Sequence, residues 1–219
     1  LNRKLENGRL DGKGGLSAKT VRDLAVLLKR GLKSAGVGLD IRLPKYSQPK
    51  LHVLTHDEQS ALIAEAKTEG GAEGLGVLLS LSTGIRIGEL CSLKWSDVSL
   101  EDGLLRINKT LQRIENCDAA GKSKTVIEIG TPKSESSAQN IPLPHFLLRR
   151  LARLKKAAHE GDYILSGSGR YVEPRLCQYR FKKLVKNAGI HAINFHALRH
   201  TFATRCVELG VDAKTISEL

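Results

Sequence analysis

Residues 73–95 read Glu73-Gly-Leu-Gly-Val-Leu-Leu-Ser-Leu-Ser-Thr-Gly-Ile-Arg-Ile-Gly-Glu-Leu-Cys-Ser-Leu-Lys-Trp95. The nearly continuous apolar run up to Ser82 predicts a buried helix, since it falls short of the ~18–20 residues a membrane span requires. Gly84 permits a sharp turn, and helical spacing resumes over 85–94 through Ile87, Leu90 and Leu93, with Trp95 close behind. Two helices meeting at a glycine, the second opening on the arginine Arg86, mark a mainly helical unit.

Outward from this stretch, Thr55-His-Asp-Glu58 has the pattern of a capping box, so a helix is expected to begin at His56. From 104 to 144 the period changes to alternation and short β-branched runs, at Leu105-Arg-Ile107, Val126-Ile-Glu-Ile129 and Ile141-Pro-Leu143, which predicts one small antiparallel sheet. Helices return at 145–158, at 174–187 with Pro174 in a favoured first position, and at 196–209, where Leu198, Phe202 and Val207 are expected to pack inward. Toward the N-terminus, Ser17 precedes a helix whose Val21, Leu24, Leu28, Leu32 and Ala35 share one face, and Gly36 suits its end. Gly36, Gly38, Pro44 and Pro49 then read as an extended linker. The predicted fold class is mainly α with a small antiparallel β-sheet (α+β). The expected partition is a small helical portion over 1–36, a linker over 37–54 and a second, larger domain over 55–219.

The 219 residues carry a net charge of +12, with a hydrophobic fraction of 41%. That fraction is enough for a buried core and argues against disorder, while the positive excess attracts polyanions such as nucleic acid. Residues 1–50 hold 12 Lys/Arg against 4 Asp/Glu, so the small N-terminal part is the more basic. Cys91, Cys117, Cys177 and Cys206 stand too far apart for a zinc-ligand pair or a disulfide framework. With no membrane-length apolar run and no signal segment, a cytoplasmic setting is the expected one. The chain begins with Leu and ends inside a helical pattern, 213–219, so the parent protein is expected to be longer.

Three separated patches hold unusual chemistry. In Thr83-Gly-Ile-Arg-Ile-Gly-Glu-Leu90, Arg86 is displayed at a helix entrance. Its planar fork matches two phosphate oxygens, which lysine does not copy. Glu89, one helical turn on, is placed to hold the Arg86 guanidinium or a neighbouring backbone group. The second patch, Thr131-Pro-Lys-Ser-Glu-Ser-Ser-Ala-Gln-Asn-Ile-Pro-Leu143, reads as a polar hairpin loop carrying Lys133. In the third, His196-Ala-Leu-Arg-His200, His196 and Arg199 lie three apart on one helix face. Each patch taken alone is compatible with ordinary surface or core duty.

Together and in this order the three patches resemble the tyrosine recombinase (phage integrase) family. Its Thr-Gly-x-Arg-x-x-Glu-Leu helix entrance is matched by Thr83, Gly84, Arg86, Glu89 and Leu90, and Leu93-Lys-Trp-Ser-Asp-Val98 follows in family-like form. Its hairpin lysine is matched by Lys133 and its His-x-x-Arg helix by His196 and Arg199, with His200 in a supporting place. The Thr-Pro-Lys-Ser segment and the Ser17-x-Lys-Thr-Val-Arg-Asp23 helix are most similar to integrases of conjugative transposons and temperate phages.

The resemblance implies transesterification at a DNA phosphodiester through a 3′-phosphotyrosyl intermediate. Bond energy is kept in that intermediate, so no ATP or other cofactor is implied, and two arginines meet the charge demand without a metal. Arg86 and Arg199 are the implied phosphate clamps, Lys133 the acid for the leaving 5′-oxygen, and His196 the group that takes a proton or holds an oxygen. Lys19, Arg22, Lys29, Arg30 and Lys33 are the expected groove and phosphate contacts of the N-terminal helix.

The implied partner is double-stranded DNA, with no membrane, in a bacterial cytoplasm. A homotetramer on two DNA sites is implied at full length, with a monomer for this segment and an accessory DNA-bending or excision factor. The family's attacking tyrosine follows the His-x-x-Arg helix, whereas Tyr46, Tyr163, Tyr171 and Tyr179 all precede it. This segment is therefore expected to lack the nucleophile and to be inactive alone. The competing readings are a non-catalytic DNA-binding relative, a type IB topoisomerase-like enzyme and a helical interaction module. A metal-dependent nuclease is a poorer fit, since none of the patches clusters carboxylates.

Overall fold

The computed structural model describes residues 1–38, 40–47, 51–117, 124–130 and 139–218. The chain divides into two compact units, Leu1–Lys50 and Leu51–Leu219.

In the first unit a short helix, α1 (Asn2–Asn7), precedes the long α2 (Ala18–Ser34). Ser17 caps α2 as its sequence context predicts, its hydroxyl accepting from the Thr20 N–H at 3.1 Å. Gly15 lets the connecting loop close onto α1, because a Cβ there would come within 1.5 Å of the Leu5 carbonyl oxygen. The apolar face of α2 differs from the expectation. Val21 and Ala25 are buried, whereas Leu24 and Leu28 are 47% and 53% exposed. The short α1 covers only the strip of that face next to it.

The second unit opens with α3 (His56–Glu69), where the Thr55–Glu58 capping box is present in full: Thr55 Oγ1 accepts from the Glu58 N–H and Glu58 Oε2 from the Thr55 N–H. The apolar α4 (Ala72–Thr83) follows and is buried along nearly its whole length, which is why its pattern lacks a polar face. The next helix, α5 (Ile87–Ser92), is shorter than its sequence spacing suggests, because Leu93 turns extended and a 3₁₀ turn, Trp95–Asp97, takes over. Among the described residues the strands that come next are β1 (Val98–Ser99), β2 (Leu104–Ile107), β3 (Thr110–Glu115), β4 (Thr125–Gly130) and β5 (Gln139–Pro142). The helices α6 (His145–Lys155), α7 (Pro174–Asn187), α8 (His196–Glu208) and α9 (Ala213–Glu218) complete the unit.

Among the described residues the strands form two antiparallel sheets where the sequence predicts one. One sheet has the order β1-β2-β5, and β3 pairs only with β4. Leu105 and Ile107 of β2 and Ile141 of β5 point into the core, with Leu105 opposite Ile141. On the β3–β4 pair only Leu111 is buried, and Ile114, Val126 and Ile129 are exposed. Alternation in 126–129 therefore marks a strand without marking a core face. Gly88 of α5 meets β3 so closely that a Cβ would lie 2.6 Å from Thr110 Oγ1 and 2.7 Å from the Leu111 carbonyl oxygen. A further difference lies in α8: Leu198 is fully buried, but Val207 is 59% exposed, and the inward stripe runs through Ala197, Leu198 and Thr201.

Thr201 ties this stripe to the start of the unit. Its hydroxyl donates to the Ala197 carbonyl at 2.8 Å and accepts the Leu54 N–H at 3.0 Å, while Arg205 Nη2 donates to the Leu54 carbonyl at 2.7 Å. Thr201→Val keeps the volume and strands the buried Leu54 N–H, which costs about 1–3 kcal/mol. Urea denaturation should register that loss, and an unchanged midpoint would show that the hydroxyl does not hold this segment.

Candidate active site

The site is built where α4 ends. Gly84 closes that helix in the left-handed region at φ 67°, and a Cβ at this position would lie 2.5 Å from the Phe202 ring of α8. Backbone conformation and close packing both require glycine here. Its carbonyl accepts a hydrogen bond from Arg199 Nη1 at 2.6 Å. Arg199, in the first turn of α8, is thereby fixed to the turn that leads into Arg86.

Arg86 is the N-cap of α5, not a member of its first turn, with extended backbone. Glu89 grips it twice: Oε2 accepts the Arg86 N–H at 2.8 Å and Oε1 accepts Arg86 Nη1 at 2.9 Å. The Glu89 side chain is only 7% exposed, whereas that of Arg86 is 53% exposed. A buried carboxylate thus orients an arginine whose remaining donors face solvent.

His196 starts α8, and Asn194 secures that start by accepting the Ala197 N–H at 3.0 Å. The His196 and His200 rings meet edge to face with centroids 4.5 Å apart. Burial, then the charges of His200, Arg199 and Arg86, push the His196 pKa below its ordinary value. Burial, followed by the Arg86 charge and partly offset by Glu89, also lowers that of Arg199. The structure therefore brings Arg86, Glu89, His196, Arg199 and His200 into one constellation: two guanidinium groups, a neutral imidazole and the groups that hold them. Such an arrangement has the chemistry to bind a pair of phosphate oxygens and to accept a proton.

Beside Arg86 and Gly88 lies a cleft of about 340 Å³, bounded by β3, β4 and the start of α7. It contains two arginines the sequence reading does not single out, Arg113 and Arg175. Arg113 Nη2 donates to Glu173 Oε2 at 2.6 Å and Nη1 to Thr125 Oγ1 at 2.8 Å, joining the β3–β4 pair to the α7 entrance. Nothing in the local sequence marks these residues, because the pairing spans distant positions.

Lys133 lies outside the described residues. The segment 131–138 that carries it lies outside them as well; the strands before and after it are β4, paired with β3, and β5, paired with β2. In the first unit, Lys19, Arg22, Lys29, Arg30 and Lys33 are all exposed on α2. At 3.6 residues per turn their positions fall within an arc of about 100°. No helix among the described residues is long and apolar enough to cross a membrane.

Comparison with known proteins places this fold in a family. Residues 52–219 match the phage integrase family, and the chain belongs to it. It is 30% identical to the tyrosine recombinase XerC-like protein of Caldanaerobacter subterraneus subsp. tengcongensis over 94% of this chain and 59% of that protein. It is 28% identical to tyrosine recombinase XerA of Pyrococcus furiosus over 94% of this chain and 66% of that one. The chain thus spans less than two thirds of either relative's length. Among solved structures, the fold is similar to that of the Tn1549 transposon integrase in complex with a circular intermediate DNA, with a TM-score of 0.70 and 20% identity, covering 93% of this chain and 71% of the other. It is also similar to that of the XerA recombinase, with a TM-score of 0.59 and 24% identity, covering 91% and 66%.

The depressed His196 pKa has a consequence for stability. Between its folded value and about 6.5, the ordinary histidine value, the unfolded chain binds a proton that the folded chain does not. This contribution is absent above that window, and stability falls as pH drops through it. Proton NMR should place the His196 midpoint below that of a free histidine, and His200→Ala should raise it. A midpoint unmoved by His200→Ala would remove the His200 charge from the explanation.

Proposed function

We propose that this chain is the DNA-handling core of a site-specific recombinase that cleaves and rejoins strands through a 3′-phosphotyrosyl intermediate, serving excision and integration of a mobile element. The observation that carries the proposal is the coupling of Arg86 and Arg199 through one turn: Glu89 holds the first, and the Gly84 carbonyl holds the second. Two preorganised guanidinium groups meet the charge that develops on the non-bridging oxygens, the largest electrostatic demand of phosphoryl transfer.

In this reading a tyrosine oxygen attacks phosphorus, the phosphotyrosyl bond forms and the 5′-oxygen leaves. That hydroxyl later attacks a partner strand and releases the tyrosine. His196, held neutral, accepts the tyrosine proton or donates to a phosphate oxygen, and Lys133 protonates the leaving 5′-oxygen. All four tyrosines of the sequence precede the His-x-x-Arg helix, so the proposal takes the nucleophile from a later segment of a longer parent protein. Without that segment this chain is inactive by itself.

Duplex DNA is the proposed partner, contacted through phosphates by the basic face of α2 and by the arginine constellation, with strong salt dependence. Four protomers on two DNA sites, aided by a DNA-bending or excision factor, would complete the exchange. The phage integrase match over 52–219 and the transposon integrase fold similarity support the mobile-element role. The expected partition of 1–36, 37–54 and 55–219 into DNA-binding portion, linker and catalytic domain is part of the same proposal.

In the full-length enzyme, Arg86→Lys should leave DNA affinity nearly intact and lower cleavage by about 10²–10³, since the charge survives and the fork does not. Equal cleavage by this variant would overturn the role of Arg86. Lys133→Ala should fail on an ordinary phosphodiester and recover on a 5′-bridging phosphorothiolate, whose sulfur leaves without a proton. A variant that the phosphorothiolate does not restore would exclude Lys133 as the acid.

A further inference from the structure

The end of α4 opposite Gly84 carries a surface that the recombinase reading does not use. α6 has two stripes. Leu147 and Leu151 are buried in the core, while Phe146 and Leu154 are each 41% exposed on another side and Arg149 and Arg153 are exposed with them. These residues, with Lys67 of α3 and Leu78 of α4, line a groove of about 470 Å³. A second hollow of about 320 Å³ adjoins it, sharing Gly70 and Leu154, with Leu75, Trp95, Ile164 and Leu165 in its walls.

Two features of this double hollow lack a match within the chain. The first is charge. Arg150 is committed to the Gly70 carbonyl at 2.9 Å, but Arg149, Arg153 and Lys67 have no ion pair among the described residues. The acidic residues nearby are engaged elsewhere: Glu69 accepts the Gly71 and Gly74 N–H groups, and Glu73 pairs with Arg180. The second feature is uncovered apolar surface: Phe146 and Leu154 are each 41% exposed, and Leu154 stands where the two hollows meet, beside the walls that Leu75, Ile164 and Leu165 make.

We propose that this double hollow is a docking site for an acidic amphipathic segment of a partner protein. Its apolar side chains fill the hollow beside Trp95, and its carboxylates pair with Arg149, Arg153 and Lys67. Charge complementarity and the apolar walls select this occupant together. A duplex would satisfy the cations but leave the apolar hollow empty, and a purely apolar partner would bury unpaired arginines at high cost. Leu78 of the groove and Leu75 of the second hollow stand six and nine residues before Gly84, about 9 and 14 Å along α4 at a rise of 1.5 Å per residue, and neither hollow is lined by Arg86, His196 or Arg199, so docking leaves the arginine constellation open. The inference is independent of the proposed strand-transfer chemistry.

Trp95 is the sole tryptophan, so its emission reports on the hollow directly. The probe is a synthetic helix-forming peptide without aromatic residues, with leucines at i, i+4 and i+7 and glutamates flanking them. Titrated into the whole chain, it should shift Trp95 emission saturably. Arg149→Glu combined with Arg153→Glu, and separately Leu154→Asp, should weaken binding by at least about tenfold while circular dichroism and duplex-DNA affinity stay unchanged. The following results would overturn the proposal. They are no emission change, equal binding of a scrambled peptide of the same composition, or loss of DNA affinity in the double arginine variant, which would make the groove a duplex contact. Self-association of the chain that disappears in that variant would likewise assign the groove to a second copy and overturn it.

Discussion

The Gly84 carbonyl accepts Arg199 at the point where α4 ends, and this hydrogen bond joins two stretches of chain 115 residues apart. Three demands coincide at that one turn. The backbone must enter the left-handed region, the Phe202 ring must approach where a Cβ would stand, and the carbonyl must face the α8 entrance. Any side chain at 84 breaks the first two and displaces the third. Arg86, two residues on, takes its position from the same turn, so the spacing of the two guanidinium groups is fixed by main chain more than by side-chain choice.

The surroundings hold that turn from both sides. Glu89 is buried and spends both oxygens on Arg86, so its ionised form is compensated where water is scarce. On the other side, Thr201 and Arg205 fasten α8 to Leu54 at the start of the unit, and Asn194 closes the helix entrance. The cationic surroundings then act on His196: burial first and neighbouring charges second favour its neutral form, which suits a group that receives a proton. Structure is thus converted into electrostatics through a few hydrogen bonds, most of them to main-chain groups.

Much of this was legible in the sequence because it depends on local chemistry. The Thr55–Glu58 box, the glycine stop at 84, the proline start at 174 and the one-turn spacing of Arg86 and Glu89 each state their own geometry within a few residues. What escaped depends on distant partners. The division of the strands into two sheets is decided by which strand β2 meets, and Gly88 is required because β3 passes over α5. Val207 and Leu28 follow the apolar period of their helices but have no neighbour to cover them. Thr201 and Arg113 read as ordinary polar residues until the chain folds back on them.

The central claim is that the coupled arginines serve attack by a tyrosine on DNA phosphorus. It is tested most directly by incubating the protein at its full native length, in EDTA, with duplexes nicked so that a covalent intermediate cannot religate. The account predicts a 3′-linked protein–DNA adduct that disappears when one tyrosine following the His196–Arg199 helix is changed to phenylalanine. Tight, salt-sensitive binding with no adduct on any nicked substrate would contradict it and leave a DNA-binding protein that does not cut.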